Sequence, residues 1–239
     1  MRSDARPLCR AVLTDIEGTT TAMAMVKEVL FPYARRHLPD FVRRHGDAAP
    51  VRSVLDDVRR TEGASLDDDA IVGVLLRWID EDRKATPLKR LQGLVWSDGY
   101  RSGEIQGHVY PDAVDRLRTW HREGIAMYVY SSGSVEAQKL LFGHTPFGDL
   151  TGLFSGFFDT ATGPKNDPGS YAAIASAIGY PADSILFLSD SPAELDAARV
   201  AQLATRWVDR EGTQVSCTHA RVSSFSDVHL HDGGFCDAR

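Results

Sequence analysis

Cysteine is scarce in this 239-residue sequence, and Cys9, Cys217 and Cys236 form an odd set with neither close pairing nor metal-ligand spacing. That speaks against a disulfide framework. Basic charge is also short. Lysine and arginine number 27 against 33 acids, the formal net charge is -6, and no basic cluster rises above the acidic background. A nucleic-acid partner is not expected on that balance, whereas an anionic small molecule stays open, because a site needs only local positive charge. No apolar run approaches the length that spans a bilayer, and residues 1–10 lack the apolar core of a signal peptide. The expectation is a soluble, reduced, cytoplasmic protein with no membrane partner. Internal repeats and low-complexity tracts are absent too. What is present is ordinary globular composition, 43% hydrophobic and 25% charged, with length enough for one large domain or a core carrying an insert.

The most informative stretch is Ala11-Val12-Leu13-Thr14-Asp15-Ile16-Glu17-Gly18-Thr19-Thr20. A short apolar run ends abruptly in two acids, a glycine and consecutive hydroxyls. A buried strand reads this way when it delivers polar groups to the edge of a parallel sheet, where ligands of open α/β sheets bind. Taken alone, the same residues also fit a solvated turn.

Residues 8–15 read as the first strand. Helical spacing then begins at Met23, through Val26, Val29, Leu30, Tyr33 and Leu38, with Pro32 required to kink or restart the helix. A short helix follows Pro50. Ser65 is a candidate cap for the next helix, with Asp67, Asp68 and Asp69 in its first turn and Trp78 in a core-facing stripe. Residues 87–107 hold one more helical stretch. Beyond them, strands at 125–130, 153–158, 185–188 and 203–208 alternate with helices at 112–122, 135–142, 170–178 and 194–201. Such alternation implies a doubly wound parallel sheet with helices on both faces. The expected architecture is therefore α/β: a core of residues 8–20 and 108–210, a helical cap at 21–107 inserted after the first strand, and a tail at 211–239 with one edge strand near Val222.

Three later segments repeat the opening pattern. The strand at 125–130 runs into Ser131-Ser132-Gly133-Ser134, that at 185–188 into Ser189-Asp190-Ser191-Pro192, and between them lies Thr162-Gly163-Pro164-Lys165. Parallel strands would bring all of these to one edge. Hydroxyls and backbone N–H groups in a glycine turn before a helix suit phosphate oxygens. Lys165 adds a point charge, and Asp15 with Asp190 could hold Mg²⁺, which prefers oxygen ligands. Metal and lysine would hold Asp15 as a carboxylate able to attack phosphorus, with Glu17 as acid and base. Singly, each signal has a plainer meaning: a helix cap and a turn for Ser131 and Ser132, a solvated loop lysine for Lys165, a helix-start acid for Asp190.

In that order, these segments resemble the four motifs of the haloacid dehalogenase-like hydrolases. Within that superfamily the chain is similar to the enolase-phosphatases of methionine salvage. The likeness rests on Thr14-Asp15-Ile16-Glu17-Gly18-Thr19-Thr20, Val29-Leu30-Phe31-Pro32-Tyr33-Ala34-Arg35 and Gly107-His108-Val109-Tyr110-Pro111-Asp112. It continues through the run from Tyr130 to Phe142 that contains Ser-Ser-Gly-Ser-Val-Glu-Ala-Gln, then Phe158-Asp159-Thr160, Gly163-Pro164-Lys165, Phe187-Leu188-Ser189-Asp190 and Glu194-Leu195-Asp196-Ala197-Ala198. Glu17 is the narrowing detail, since most of the superfamily carries Asp there.

The resemblance implies a bifunctional enzyme that enolises 5-(methylthio)-2,3-dioxopentyl phosphate and then removes its phosphate. Asp15 would be nucleophile and metal ligand. Glu17 would be the acid/base and lend its carbonyl to one Mg²⁺ per subunit, completed by Asp190. Ser131 and Ser132 would bind the phosphate and Lys165 would neutralise it. Glu194 would orient the metal's water or be a solvated helix acid. The enolisation base stays open between Glu17 and a cap residue such as Glu28, the cap would act as a lid, and His108 is expected to be structural. A monomer is expected. The chain departs from the family pattern at Met25, where an aromatic residue is usual and the substrate pocket would be reshaped, and at Gln202, where a glycine is usual. The rivals are a phosphatase for another small phosphomonoester without enolisation, and a non-catalytic module that binds a phosphorylated metabolite.

Overall fold

The computed structural model describes residues 9–213, 217–231 and 234–235. Leu8, Cys236 and part of the expected tail lie outside the described residues. The chain divides into two compact units, one containing the segments up to Met23 and from Gly107 onward, the other Ala24–Gln106.

The first unit is a six-stranded parallel sheet in the order β3-β2-β1-β4-β5-β6. The strands are β1 (Ala11–Thr14), β2 (Ala126–Tyr130), β3 (Gly156–Phe158), β4 (Ile185–Ser189), β5 (Ala204–Val208) and β6 (Arg221–Val222). The chain steps outward from β1 through β2 to β3, then returns to the other side of β1 for β4. The sheet therefore changes direction between β1 and β4, which is where such folds open a crevice for ligands.

Alternation along the strands sorts the core into two layers. Val12, Met127, Val129, Leu186 and Leu188 pack on one face with Leu117, Trp120, Phe142 and Phe225. Ala11, Leu13, Ile185 and Phe187 pack on the other with Tyr171, Ile174, Leu195 and Trp207. Both faces are buried, so β1 and β4 read as unbroken apolar runs rather than as an alternating pattern. The core helices are α5 (Pro111–Arg122), α6 (Val135–Gly143), α7 (Pro168–Ile178) and α8 (Pro192–Val200).

Most expected elements are found within a residue or two. The strand expected over 153–158 is shorter, because Thr151–Leu153 is a single 3₁₀ turn and only Gly156–Phe158 pairs with β2. The edge strand near Val222 is present, parallel to β5. A short antiparallel pair, β7 (Leu230–His231) with β8 (Gly234–Phe235), was not foreseen.

The second unit is helical: α1 (Phe31–His45), α2 (Ala49–Glu62), α3 (Asp68–Asp80) and α4 (Thr86–Ser102), preceded by a π-helical stretch at Met25–Leu30. Pro32 sits in the first turn of α1, where the π-helical stretch gives way to regular α-helix. Pro39 lies inside the same helix and does not end it. The apolar face of α1, with Ala34, Leu38 and Val42 buried, meets the stripes of α3 and α4 and outweighs the lost hydrogen bond. The expected Ser65 cap is corrected. Asp67 caps α3, accepting the N–H of Ala70 at 2.8 Å. Trp78 is a core residue at 2% exposure. Met25 is buried within the π-helical stretch.

Candidate active site

The carboxyl end of β1 carries the site. Ladder pairing sets Thr14 level with Leu188 on β4 and Val129 on β2, and the Asp15 N–H still donates to the Leu188 carbonyl at 2.9 Å. Asp15 and Ser189 therefore leave adjacent strands side by side, level with Tyr130 on β2, and Ser131 follows one residue further on.

After Asp15 the chain turns at once. The N–H groups of Thr19, Thr20 and Thr21 all point at the Ile16 carbonyl, at 3.1, 2.9 and 2.9 Å. Gly18 makes this possible with φ at +73°, and a Cβ on it would collide with the Asp190 carboxylate. The three threonines are fully buried. Their hydroxyls serve the protein rather than a ligand: Thr19 Oγ1 accepts the Asp190 N–H at 3.0 Å, Thr20 Oγ1 donates to the Asp15 carbonyl, and Thr21 Oγ1 donates to the His108 carbonyl at 2.7 Å. His108 Nδ1 accepts the Ala22 N–H at 3.1 Å, so this histidine organises the backbone. Burial, with the nearby Arg210 charge, lowers its pKa and favours the neutral ring this bond requires.

Asp15 is 3% exposed. Its Oδ1 accepts from Lys165 Nζ at 2.6 Å and from the Ile16 N–H at 2.8 Å. Lys165 also meets Glu194 Oε2 at 2.7 Å. Burial alone would lower the lysine pKa, but the two carboxylates outweigh it and hold the ammonium charged. Its backbone is fixed by Tyr171, whose hydroxyl donates to the Lys165 carbonyl at 2.8 Å, and Tyr130 likewise donates to the Gly163 carbonyl at 2.9 Å. Neither the solvated lysine nor the solvated Glu194 weighed on sequence grounds is found. Glu194 is held between Lys165 and the Ser189 hydroxyl, 3.1 Å away, and burial with the charge of Asp15 raises its pKa.

Glu17 lies on the other side of the turn, where its Oε2 accepts from Ser131 Oγ at 3.3 Å. Burial first, then the charge of Asp15, raises its pKa, so this carboxyl takes a proton more readily than a free one. Ser131 is fully buried, with its N–H on the Phe158 carbonyl at 3.2 Å and its hydroxyl accepting the Gly133 N–H at 3.1 Å. Ser132 is exposed beside it. The cap of α6 is neither of these serines but Ser134, whose Oγ accepts the Ala137 N–H. Gln138 stitches the turn from behind, its Nε2 donating to the Gly133 and Phe158 carbonyls at 2.8 Å each.

Asp190 closes the group. Burial, then the charge of Asp15, pushes its pKa up to about 6, and among the described residues no cation pairs with it. The carboxylates of buried Asp15 and half-buried Asp190 would offer a metal hard oxygen donors with an excess of negative charge. Among the described residues no three His, Cys, Asp or Glu side chains could hold a metal by themselves. Hard oxygen donors of this kind would suit Mg²⁺, which keeps several waters and uses one or two carboxylates plus substrate phosphate.

Asp15, Glu17, Ser131, Lys165 and Asp190 are thus brought together, with Ser132 at the rim. Three contributors had no assigned role on sequence grounds. Ser189 sat beside Asp190 in a quoted motif, and Gln138 ended the Ser-Ser-Gly-Ser run. Arg210, whose Nε donates to the Thr19 carbonyl at 2.6 Å, is a lone cation after β5 with no spacing to mark it.

The chain is similar to known proteins over most of its length. Residues 9–202 match the family model of the haloacid dehalogenase-like hydrolases. The chain is 56% identical to enolase-phosphatase E1 of Pseudomonas aeruginosa over 92% of its own length and 97% of that protein's. It is 54% identical to enolase-phosphatase E1 of Methylococcus capsulatus over 92% and 98%. Among solved structures, the UTR4 protein of Saccharomyces cerevisiae superposes with a TM-score of 0.78 at 37% identity, covering 92% of this chain and 99% of that one. At that identity and coverage, the chain belongs to the haloacid dehalogenase-like hydrolases and, within them, to the enolase-phosphatases.

Proposed function

We propose that Asp15 and Glu17 divide the chemistry of an enolase-phosphatase, with Asp15 as nucleophile and Glu17 as proton carrier. The overall reaction converts 5-(methylthio)-2,3-dioxopentyl phosphate to 1,2-dihydroxy-5-(methylthio)pent-1-en-3-one and phosphate, a step of methionine salvage. The observation that carries the assignment is the contrast between the two acids. Asp15 is locked to the Lys165 ammonium at 2.6 Å, while Glu17 accepts from the neutral Ser131 hydroxyl at 3.3 Å and has a raised pKa.

Ser131, Ser132 and Lys165 take the phosphate oxygens. Asp15, Asp190 and the Glu17 carbonyl would hold one Mg²⁺, which supplies positive charge to the phosphoryl group and to the enolate as it develops. In the first step Glu17 removes a proton from the phosphate-bearing carbon, the electron pair moves onto the neighbouring carbonyl oxygen, and that oxygen takes a proton from solvent, which gives the enediol phosphate and leaves Glu17 protonated. Glu17 already adjoins Asp15 in the same turn, which favours it over Glu28 for this task. Next, an Asp15 carboxylate oxygen attacks phosphorus, the bond from phosphorus to the substrate oxygen breaks, and the departing oxygen takes the proton from Glu17. Finally Glu17 removes a proton from water. The resulting hydroxide attacks the aspartyl-phosphate, phosphate leaves and the Asp15 carboxylate returns.

Among the described residues no helix is long and apolar enough to cross a membrane, and Cys9 and Cys217 are free thiols. The free thiols fit the further reading of a cytoplasmic enzyme, which would act as a monomer with one Mg²⁺. The test is an assay with the diketone phosphate, with and without Mg²⁺, following enediol absorbance and phosphate together. Both signals should appear and both should need Mg²⁺. Phosphate release without the absorbance change would make the protein a simple phosphatase.

A further inference from the structure

Arg210 lies past β5 and beyond the residues that match the family model. Its side chain is 11% exposed, and its guanidinium is engaged on every side. Nε donates to the Thr19 carbonyl at 2.6 Å, and the two terminal nitrogens donate to the two Asp112 oxygens at 3.1 Å each. The Tyr110 ring stacks on it at 3.9 Å. Asp112 is anchored in turn by the Ser224 hydroxyl at 2.9 Å and the Phe225 N–H at 2.8 Å. A fork held this firmly has one geometry.

What it holds is the turn behind the nucleophile. Thr19 accepts Arg210 on its carbonyl and the Asp190 N–H on its hydroxyl. The next carbonyl, of Thr20, accepts the Tyr110 N–H at 2.9 Å. One side chain thereby links the ends of β1, β4 and β5, and two of those ends carry the carboxylates of the site.

We propose that Arg210 is a positioning residue for the reaction: through Thr19 it sets the spacing of Asp190 from Asp15, and so the placement of the metal-binding acids against the phosphate. This rests on the reading of Asp15 and Asp190 as the metal ligands. Arg210 makes its hydrogen bonds to Thr19 and Asp112, not to Asp15 or Asp190. The phosphate ligands Ser131, Ser132 and Lys165 do not depend on it, so its loss should strike turnover rather than substrate binding. A misplacement of about 1 Å at reacting groups costs on the order of 10²-fold in rate. Loss of a group that orients metal ligands typically weakens metal affinity by roughly 10- to 100-fold.

The test compares Arg210→Lys and Arg210→Gln with Asp190→Asn and the native protein. Turnover on the diketone phosphate is measured with saturating Mg²⁺. Mn²⁺ binding to the substrate-free protein is followed by the paramagnetic resonance of the free ion. Arg210→Lys keeps the charge and the stem but loses the fork, and it supplies folded protein should the Gln variant fail to accumulate. Both Arg210 variants should lose roughly 10- to 100-fold in kcat with KM within about threefold, and should bind Mn²⁺ about tenfold more weakly. Native kcat and native Mn²⁺ affinity in Arg210→Lys, with only the melting temperature lowered, would make Arg210 a staple of the fold and overturn the inference. Undiminished Mn²⁺ binding in Asp190→Asn would instead sink the metal reading, and the kcat of Arg210→Lys would then decide the role of Arg210 alone.

Discussion

Lys165 Nζ stands 2.6 Å from Asp15 Oδ1 across 150 residues of sequence, and both side chains are nearly shut off from solvent, at 7% and 5% exposure. A buried ammonium here neutralises the buried Asp15 carboxylate, the proposed nucleophile, and, at 2.7 Å, the Glu194 carboxylate as well. Removing one partner of such a pair leaves charge uncompensated, which costs about 3–5 kcal/mol. Lys165→Met should therefore destabilise the fold by roughly that much and abolish phosphate release. Glu194, whose pKa is already raised, should rise further in the variant. A folded-state acid that binds its proton more tightly than the unfolded chain loses stability as pH rises. The deficit should thus be larger at pH 8 than at pH 6, checked by denaturant unfolding at both. A deficit independent of pH would show that Glu194 does not feel the lost ammonium.

Asp112 gives the opposite sign. Burial would raise its pKa, but hydrogen bonds from Arg210, the Phe225 N–H and Ser224 outweigh it and hold the carboxyl below the usual range. Its contribution to stability is complete above the unfolded value of about 4 and is lost as pH falls through the lower folded value. Asp112→Asn should be less stable than the native protein at neutral pH and should show a flatter loss on acidification below about pH 4. Parallel acid limbs in the two proteins would contradict this.

Gln202 has φ at +68°, a left-handed conformation that ordinary side chains resist. Relief of strain by glycine is partly offset by the freedom glycine gains in the unfolded chain. Gln202→Gly should stabilise the protein by up to about 1 kcal/mol, and Gln202→Val should destabilise it by about as much. Thermal unfolding of the two variants decides, and equal melting temperatures would refute the strain.

The order of strands and helices was legible because periodicity and breakers are local. Asp15, Lys165 and Asp190 were legible because each ends an apolar run or follows a glycine turn. Pro39 misleads a local reading, since the buried face of α1 overrides its cost only once α3 and α4 are in place. Ser65 and Asp67 compete for one cap, and the winner depends on which N–H groups the helix leaves exposed. The three hydroxyls after Gly18 turn inward, because the turn needs acceptors and donors of its own. Arg210 was invisible for a different reason: its meaning lies in partners far away in sequence, Thr19 and Asp112.

The division of labour between Asp15 and Glu17 is tested most directly by acid-quenched single turnover of Glu17→Gln with an aryl phosphate, whose leaving group departs without a proton. The phosphoryl group should pass to the enzyme and stay there, since no base activates water to remove it. Mass analysis should then find one phosphoryl group on the peptide that contains Asp15, and none in the Asp15→Asn variant. A label on another residue, or phosphate released at the native rate by Glu17→Gln, would contradict the account.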